Sequence, residues 1–204
     1  MAPPSDANPL LSADPLTWDW LIASLPPASM LVAIAARMGS RLRARHAPED
    51  VWQETLLLAW RDRARCEWRG LAEFRRWLLA IAQHRISNLG DHEGAAKRGG
   101  QAIHVPFHGD TAQGTPSSCY AGPVASTTPS RVASDRETAH RMERALAALS
   151  DDLRDVVRLR LFESLPIETV AQQLGLGESA VRHRFRRGVE EFNGLMRGAQ
   201  PDSV

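Results

Sequence analysis

The chain has 204 residues, 43% hydrophobic and 24% charged, with 25 Lys and Arg against 24 Asp and Glu for a net charge of +1. That length suits one or two small domains, and the near-neutral total speaks against a nonspecific polyanion binder. No apolar run approaches the ~20 residues of a spanning helix, and no base precedes Arg37 to open a secretory signal.

Two cysteines, Cys66 and Cys119, make no disulfide framework. A reducing, cytoplasmic home is the default expectation. Charge is unevenly spread: residues 1–27 carry −3, residues 28–98 carry +5, residues 99–136 are neutral, and residues 137–204 carry −1. Clustering of this kind bears on phosphate contact more than the total does.

Residues 1–27 are Pro-rich and acidic, and are expected to be loosely ordered apart from a short packed turn at Trp18-Asp19-Trp20-Leu21-Ile22. Residues 28–98 read as helical throughout. Pro48-Glu49-Asp50 opens a helix running to about Arg63, with Pro in the first turn and acids at the positive end of the dipole. Val51, Trp52, Thr55, Leu56, Leu58 and Ala59 share one broad face of it. Gln53, Glu54, Leu57 and Arg61 share the other, with Trp60 on its edge. Leu57 is an apolar side chain on a polar stripe. It reads either as a scattered surface leucine or, with Trp60, as an anchor for another protein.

The loop Cys66-Glu67-Trp68-Arg69-Gly70 precedes a helix from about Leu71 to Asn88. Phe74, Trp77, Leu78 and Ile81 have the spacing of a buried stripe, so Phe74 and Trp77 taken alone fit a core better than a nucleic-acid contact. Trp68 is a better candidate for stacking on an unpaired base. Arg75, Arg76, His84 and Arg85 surround the helix with hydrogen-bond donors, for which a solvated surface is the plain alternative.

Residues 99–136 change character, with Gly99-Gly100, Gly114-Thr115-Pro116-Ser117-Ser118 and Ser126-Thr127-Thr128-Pro129-Ser130 marking a flexible linker. As a coil it would span about 35 Å, and extended roughly 125 Å. His104, His108 and Cys119 are the only ligand-like cluster. They fall in this linker with no organised surroundings in prospect, so no metal and no cofactor are expected. Cys66 reads as an inert thiol.

Residues 137–193 return to helical periodicity, and residues 194–204 form a tail. Ser150-Asp151-Asp152 caps a helix running through Val156, Val157, Leu159, Arg160 and Phe162. Pro166 opens the next helix. Leu174-Gly175-Leu176 is a turn with Gly175 as the left-handed cap, and a basic helix follows. In that helix Val181, Phe185, Gly188 and Phe192 face the core. Ser179, His183, Arg186 and Glu190 lie opposite, flanked by Arg182 and Arg187. Bases at the start of a helix and acids at its end oppose the dipole, which suits a helix that meets DNA.

These two blocks, in this order, resemble a bacterial RNA polymerase sigma factor of the extracytoplasmic-function type, in the sigma-70 family. The likeness is carried by Glu49-Asp50-Val51-Trp52-Gln53-Glu54-Thr55-Leu56-Leu57-Leu58-Ala59-Trp60-Arg61 with Phe74-Arg75-Arg76-Trp77-Leu78 and Ile81-Ala82. It continues in Ala145 to Ser150, Val156 to Arg160 and Glu168 to Arg187. The resemblance implies an all-α chain of two small helical domains joined by a flexible linker. Residues 28–98 would be the region 2 bundle and residues 137–193 the region 4 helix-turn-helix.

It also implies roles. Asp50, Gln53, Glu54, Leu57 and Trp60 would dock on the clamp helices of core RNA polymerase. Trp68, Arg69, Arg75, Arg76 and Trp77, with His84 and Asn88, would open and read the −10 promoter element. Ser179, Arg182, His183, Arg186 and Arg187 would read the −35 element, and region 4 would also touch the polymerase flap. An anti-sigma factor is a common partner in the family. Family members usually carry Asn at the position of His84, Asp at that of Asn88 and a base at that of Ala80. Trp52 stands where a smaller aliphatic residue is usual. These departures bear on −10 preference rather than on polymerase docking. No catalytic set is present, so an enzyme is not expected. The alternative is a stand-alone helix-turn-helix regulator that binds duplex DNA without polymerase.

Overall fold

The computed structural model describes residues 8–12, 15–97 and 129–198, and among these the chain is all-α. A short 3-10 turn, Pro9–Leu11, precedes α1 (Pro15–Ala23), α2 (Pro27–Arg37), α3 (Ser40–Arg43), α4 (Pro48–Asp62) and α5 (Leu71–Lys97). After the undescribed stretch come α6 (Pro129–Ala148), α7 (Asp151–Val157), α8 (Ile167–Leu174) and α9 (Glu178–Gly198). The expected linker cluster of His104, His108 and Cys119 lies outside the described residues.

The hub is α2, buried continuously from Ala28 to Ala35. A helix apolar all round has no solvent face to keep, so it belongs in the middle of a bundle. Its alanines let α4, α5 and α6 approach closely, and it packs against all three. The motif helix α4 starts on Pro48 with Glu49 and Asp50 in the first turn. It buries Val51, Trp52, Thr55 and Ala59. The Thr55 hydroxyl donates to the Val51 carbonyl one turn back at 2.7 Å, so this polar group is satisfied inside the core.

The packed turn expected at Trp18 to Ile22 is present as part of α1, and packing extends beyond it to Leu10 and Leu25 in the otherwise Pro-rich start. Leu10, Trp18, Leu21, Ile22 and Leu25 are buried in the main core. Trp18 stands edge-on to Trp60 at 5.2 Å and to Phe74 at 6.0 Å. The prolines set helix starts here rather than disorder: Pro15, Pro27 and Pro48 each occupy the first position of a helix. All six tryptophans, at positions 18, 20, 52, 60, 68 and 77, fall in this N-terminal unit. Helix α5 also runs nine residues beyond the expected end at Asn88, and α6 begins at Pro129, inside the expected linker.

In the C-terminal unit Ser150 sits at the N-cap of α7, but its hydroxyl donates to the Asp152 carboxylate at 2.7 Å instead of capping a backbone N–H. Arg154 closes the end of α6, donating to the carbonyls of Leu146, Ala147 and Leu149 at 3.0, 3.0 and 2.6 Å. α7 ends in a π-helical turn, Arg158–Phe162, after which Ser164 takes a left-handed φ of 55°. Gly175 caps α8 at φ 64°, ψ 32°, the left-handed conformation the turn requires. Val156, Leu159, Val170, Ala171 and Val181 form a small core of their own beneath the turn.

α9 crosses α7 at Gly188, where an added Cβ would sit 2.6 Å from Val157 Cγ2. Valine at this position therefore drives a branched side chain into another that has no flexible end to yield. Gly188→Val is expected to cost about 1–3 kcal/mol. Urea denaturation of the purified chain checks this, and an unchanged midpoint would mean that the crossing is looser than its geometry.

The two units also share one apolar core. Ala139, Ala145, Leu146, Leu149, Leu153, Val157, Phe162 and Phe192 join the cluster built by α1, α2, α4 and α5. Among the described residues no single helix is long and apolar enough to cross a membrane.

Candidate nucleic-acid and polymerase interface

On α4, Asp50, Gln53 and Leu57 are exposed and Glu54 half-exposed. Spaced i, i+3, i+4 and i+7, they form one stripe along the helix. Leu57 keeps 50% of its surface in solvent although α4 has an apolar core face on its other side. Glu54 forms an ion pair with Arg85 of α5, its second oxygen accepting from Arg85 at 3.1 Å, which fixes the two helices side by side.

Trp60 does not belong to that stripe. Its ring is half-buried, with the Trp18 edge on one side and the Arg63 guanidinium 3.8 Å from its centroid. The sequence places Trp60 on the edge of this face, and in the structure Trp18 of α1 packs against that edge position.

Between α4 and α5 runs an open groove of about 590 Å³, lined by Leu57, Leu58, Trp77, Ala80 and Ile81, with Arg61, His84, Asn88 and His92 among its polar residues. It brings Leu57 beside Trp77, His84 and Asn88, two sets of residues to which the family resemblance assigns different partners. His92 was missed because it lies one turn beyond the point where the helix was expected to stop.

The aromatic residues before and on α5 form a nest. Trp68 is half-buried and tilted against Phe74 at 6.0 Å, and Trp77 stacks on Phe74 at 5.9 Å. Arg69 is exposed and paired with Glu67 at 2.8 Å. Arg76 is half-buried and paired with Glu73.

Arg75 is the principal correction. It was expected as a surface donor for DNA, yet it is only 6% exposed. Its guanidinium donates to the Phe162 carbonyl (Nε 3.1 Å, Nη2 2.7 Å) and to the Ser29 carbonyl and hydroxyl (3.2 and 2.8 Å). Burial, and then the neighbouring Arg37, lower its pKa to about 10. No sequence signal points to Phe162, which is 87 residues away. Burial also raises the pKa of the Cys66 thiol, which keeps it a poor nucleophile.

In the C-terminal unit the exposed face of α9 presents Ser179, Arg182, His183, Arg186 and Arg187 together. Arg182 pairs with Glu178 one turn back at 2.6 Å, and the opposite face buries Val181, Gly188 and Phe192. The arrangement is a helix, a glycine turn and a second helix with a basic outer face, the geometry that enters a major groove. Among the described residues no group of three or more His, Cys, Asp or Glu side chains gathers as a metal site.

Residues 139–192 match the family model described as Sigma-70, region 4. The match takes in the second half of α6, all of α7 and α8, and α9 as far as Phe192. A search of curated protein sequences gave no match. Similar solved structures include CnrH in complex with the cytosolic domain of CnrY, at 17% identity over 94% of this chain and 94% of that one, with a TM-score of 0.36. The sigma factor RpoE in complex with the anti-sigma factor NepR from Bartonella quintana is also similar, at 17% identity over 89% of this chain and 99% of that one, again with a TM-score of 0.36.

Proposed function

We propose that this chain is a sigma factor of the extracytoplasmic-function type, a non-catalytic subunit that binds core RNA polymerase and directs it to promoters. The observation that carries the reading is the coincidence of the region 4 match over residues 139–192 with a helix-turn-helix whose second helix exposes Ser179, Arg182, His183, Arg186 and Arg187. These side chains would read the −35 element. His84 and Asn88, with the aromatic nest around Trp68 and Trp77, would meet the −10 element. Stacking of unpaired bases, worth about 1–3 kcal/mol each, would drive melting. Phosphate contacts would make binding salt-dependent.

Asp50, Gln53, Glu54 and Leu57 would dock on the polymerase clamp helices, and region 4 would touch the flap. An exposed leucine on an otherwise polar stripe, backed by a helix with its own core face, supports a protein partner there. The rival reading, a regulator that binds duplex DNA alone, accounts for α8 and α9 but gives the α4 stripe no task. Since one similar structure is a sigma factor held by an anti-sigma factor, a protein antagonist is also part of the proposal.

The test is run-off transcription with purified core polymerase on fragments of the source genome. Start sites should appear only with the protein, and Leu57→Ala should weaken core binding about tenfold, the effect of one anchor residue. Tight duplex binding by the protein alone, with no polymerase-dependent start site, would overturn this reading in favour of the regulator.

A further inference from the structure

A cleft of about 330 Å³ lies between the turn after α3, the start of α4 and the middle of α6. Its cationic character begins in the sequence: residues 37–48 hold four arginines and a histidine and no acid. Leu42 is partly buried against the main core, while its neighbours Arg41 and Arg43 stay exposed. The Leu42 carbonyl accepts from the backbone N–H groups of Arg45 and His46 at 3.0 and 2.8 Å, which closes the turn into α4. Arg43, Arg45 and His46 border the cleft on this side, and Arg136 and His140 of α6 border it on the other.

Two carboxylates already sit among these cations. Arg43 Nη2 donates to both oxygens of Glu143, at 3.1 and 3.3 Å, and His140 Nδ1 stands 3.6 Å from the same group. Arg136 pairs with Glu49 at 3.2 Å. Both arginines are exposed, and exposed pairs of this kind hold weakly. Three arginines face two carboxylates, so the cleft keeps a positive excess. It also takes in Ala47 and Pro48, the cap and first residue of α4, a 15-residue helix whose N-terminus no side chain caps. That end of a helix carries partial positive charge and N–H donors suited to anionic oxygens.

We propose that this cleft is a binding site for a small molecule bearing two or more linked phosphates. Guanidinium forks match phosphate oxygens, and the Glu143 carboxylate shows the approach such an oxygen would use. Linked phosphates offer one group to the α3 wall and another to the α6 wall. Donors gathered from three helices around one concavity suit a compact ligand, whereas a nucleic-acid backbone is tracked by cations spread along a groove. The inference does not depend on reading the chain as a sigma factor.

The experiment is isothermal titration calorimetry of the full chain with inorganic pyrophosphate and tripolyphosphate. Ionic strength is held fixed, because salt screens exposed charges, and divalent cations are left out, because they bind the probe. One saturable site is expected, with orthophosphate about tenfold weaker or more. Arg43→Gln and Arg136→Gln should each weaken pyrophosphate binding about tenfold, the size of one charge-assisted contact. Glu143→Gln should tighten it by removing the competing carboxylate, a gain that a misfolded variant cannot mimic. Arg197→Gln removes the same charge from the exposed far end of α9 and should leave the affinity unchanged.

No saturable heat, or equal weakening by Arg197→Gln, would overturn the site. An Arg43→Gln variant that keeps its pyrophosphate affinity but loses affinity for a mixed-sequence DNA duplex would mark the cleft as a nucleic-acid surface and overturn the ligand class. No polymerase or promoter enters these titrations, so their failure is separate from a failure of the run-off assay.

Discussion

Trp18→Ala is expected to lower stability by about 3–5 kcal/mol, the range for emptying a buried aromatic site. Trp18 is buried, and its ring meets the edges of both Trp60 and Phe74. Each aromatic pair adds about 0.5–1.5 kcal/mol beyond the area it covers. Helix α1 has nine residues, too few to persist alone in water. It is held by Trp18, Leu21 and Ile22, so the loss of its largest anchor should undock it as well as leave a cavity. Urea denaturation gives the magnitude, and limited proteolysis near Ser24 reports the undocking. A change below about 1 kcal/mol with no new cleavage would mean that α1 merely rests on the surface.

Phe162→Ala should be of similar size, about 3–5 kcal/mol, with wider consequences. Phe162 is among the largest fully buried side chains and stands edge-on to Phe192 at 5.9 Å. Its ring therefore ties the end of the π-helical turn to α9, while its carbonyl holds Arg75 of the other unit. Emptying the site removes packing from the C-terminal unit and loosens the seat of that carbonyl together. The expected result is a lower thermal midpoint and a less cooperative transition by circular dichroism. A midpoint within a few degrees of wild type, corresponding to about 1 kcal/mol or less, would refute this account of the junction.

What could be read from the residues was local. Gly175 between two amphipathic helices has one sensible conformation, and α9 sorts its faces by a 3.6-residue period, so the helix-turn-helix was legible before any coordinates. The α4 stripe was legible for the same reason, with Leu57 conspicuous as the wrong type of residue on a polar face. What stayed hidden depends on distant partners. Arg75 looks like any surface base, because the oxygen that accepts from it belongs to Phe162, far along the chain. Trp60 looks available until α1 is placed over it. The prolines before α1 and α6 suggested loops, whereas Pro15 and Pro129 each occupy the first position of a helix. Proline lacks only an N–H that a first turn does not use.

The distribution of tryptophan gives the molecule a built-in optical division. All six indoles lie at or before position 77, and the sole tyrosine is Tyr120, so α6 to α9 contain neither chromophore. Intrinsic emission therefore follows the N-terminal unit alone, while far-ultraviolet ellipticity sums helices from both. If the two signals change together on heating, the shared core makes the halves melt as one. If ellipticity falls while emission holds, the dark half has melted by itself.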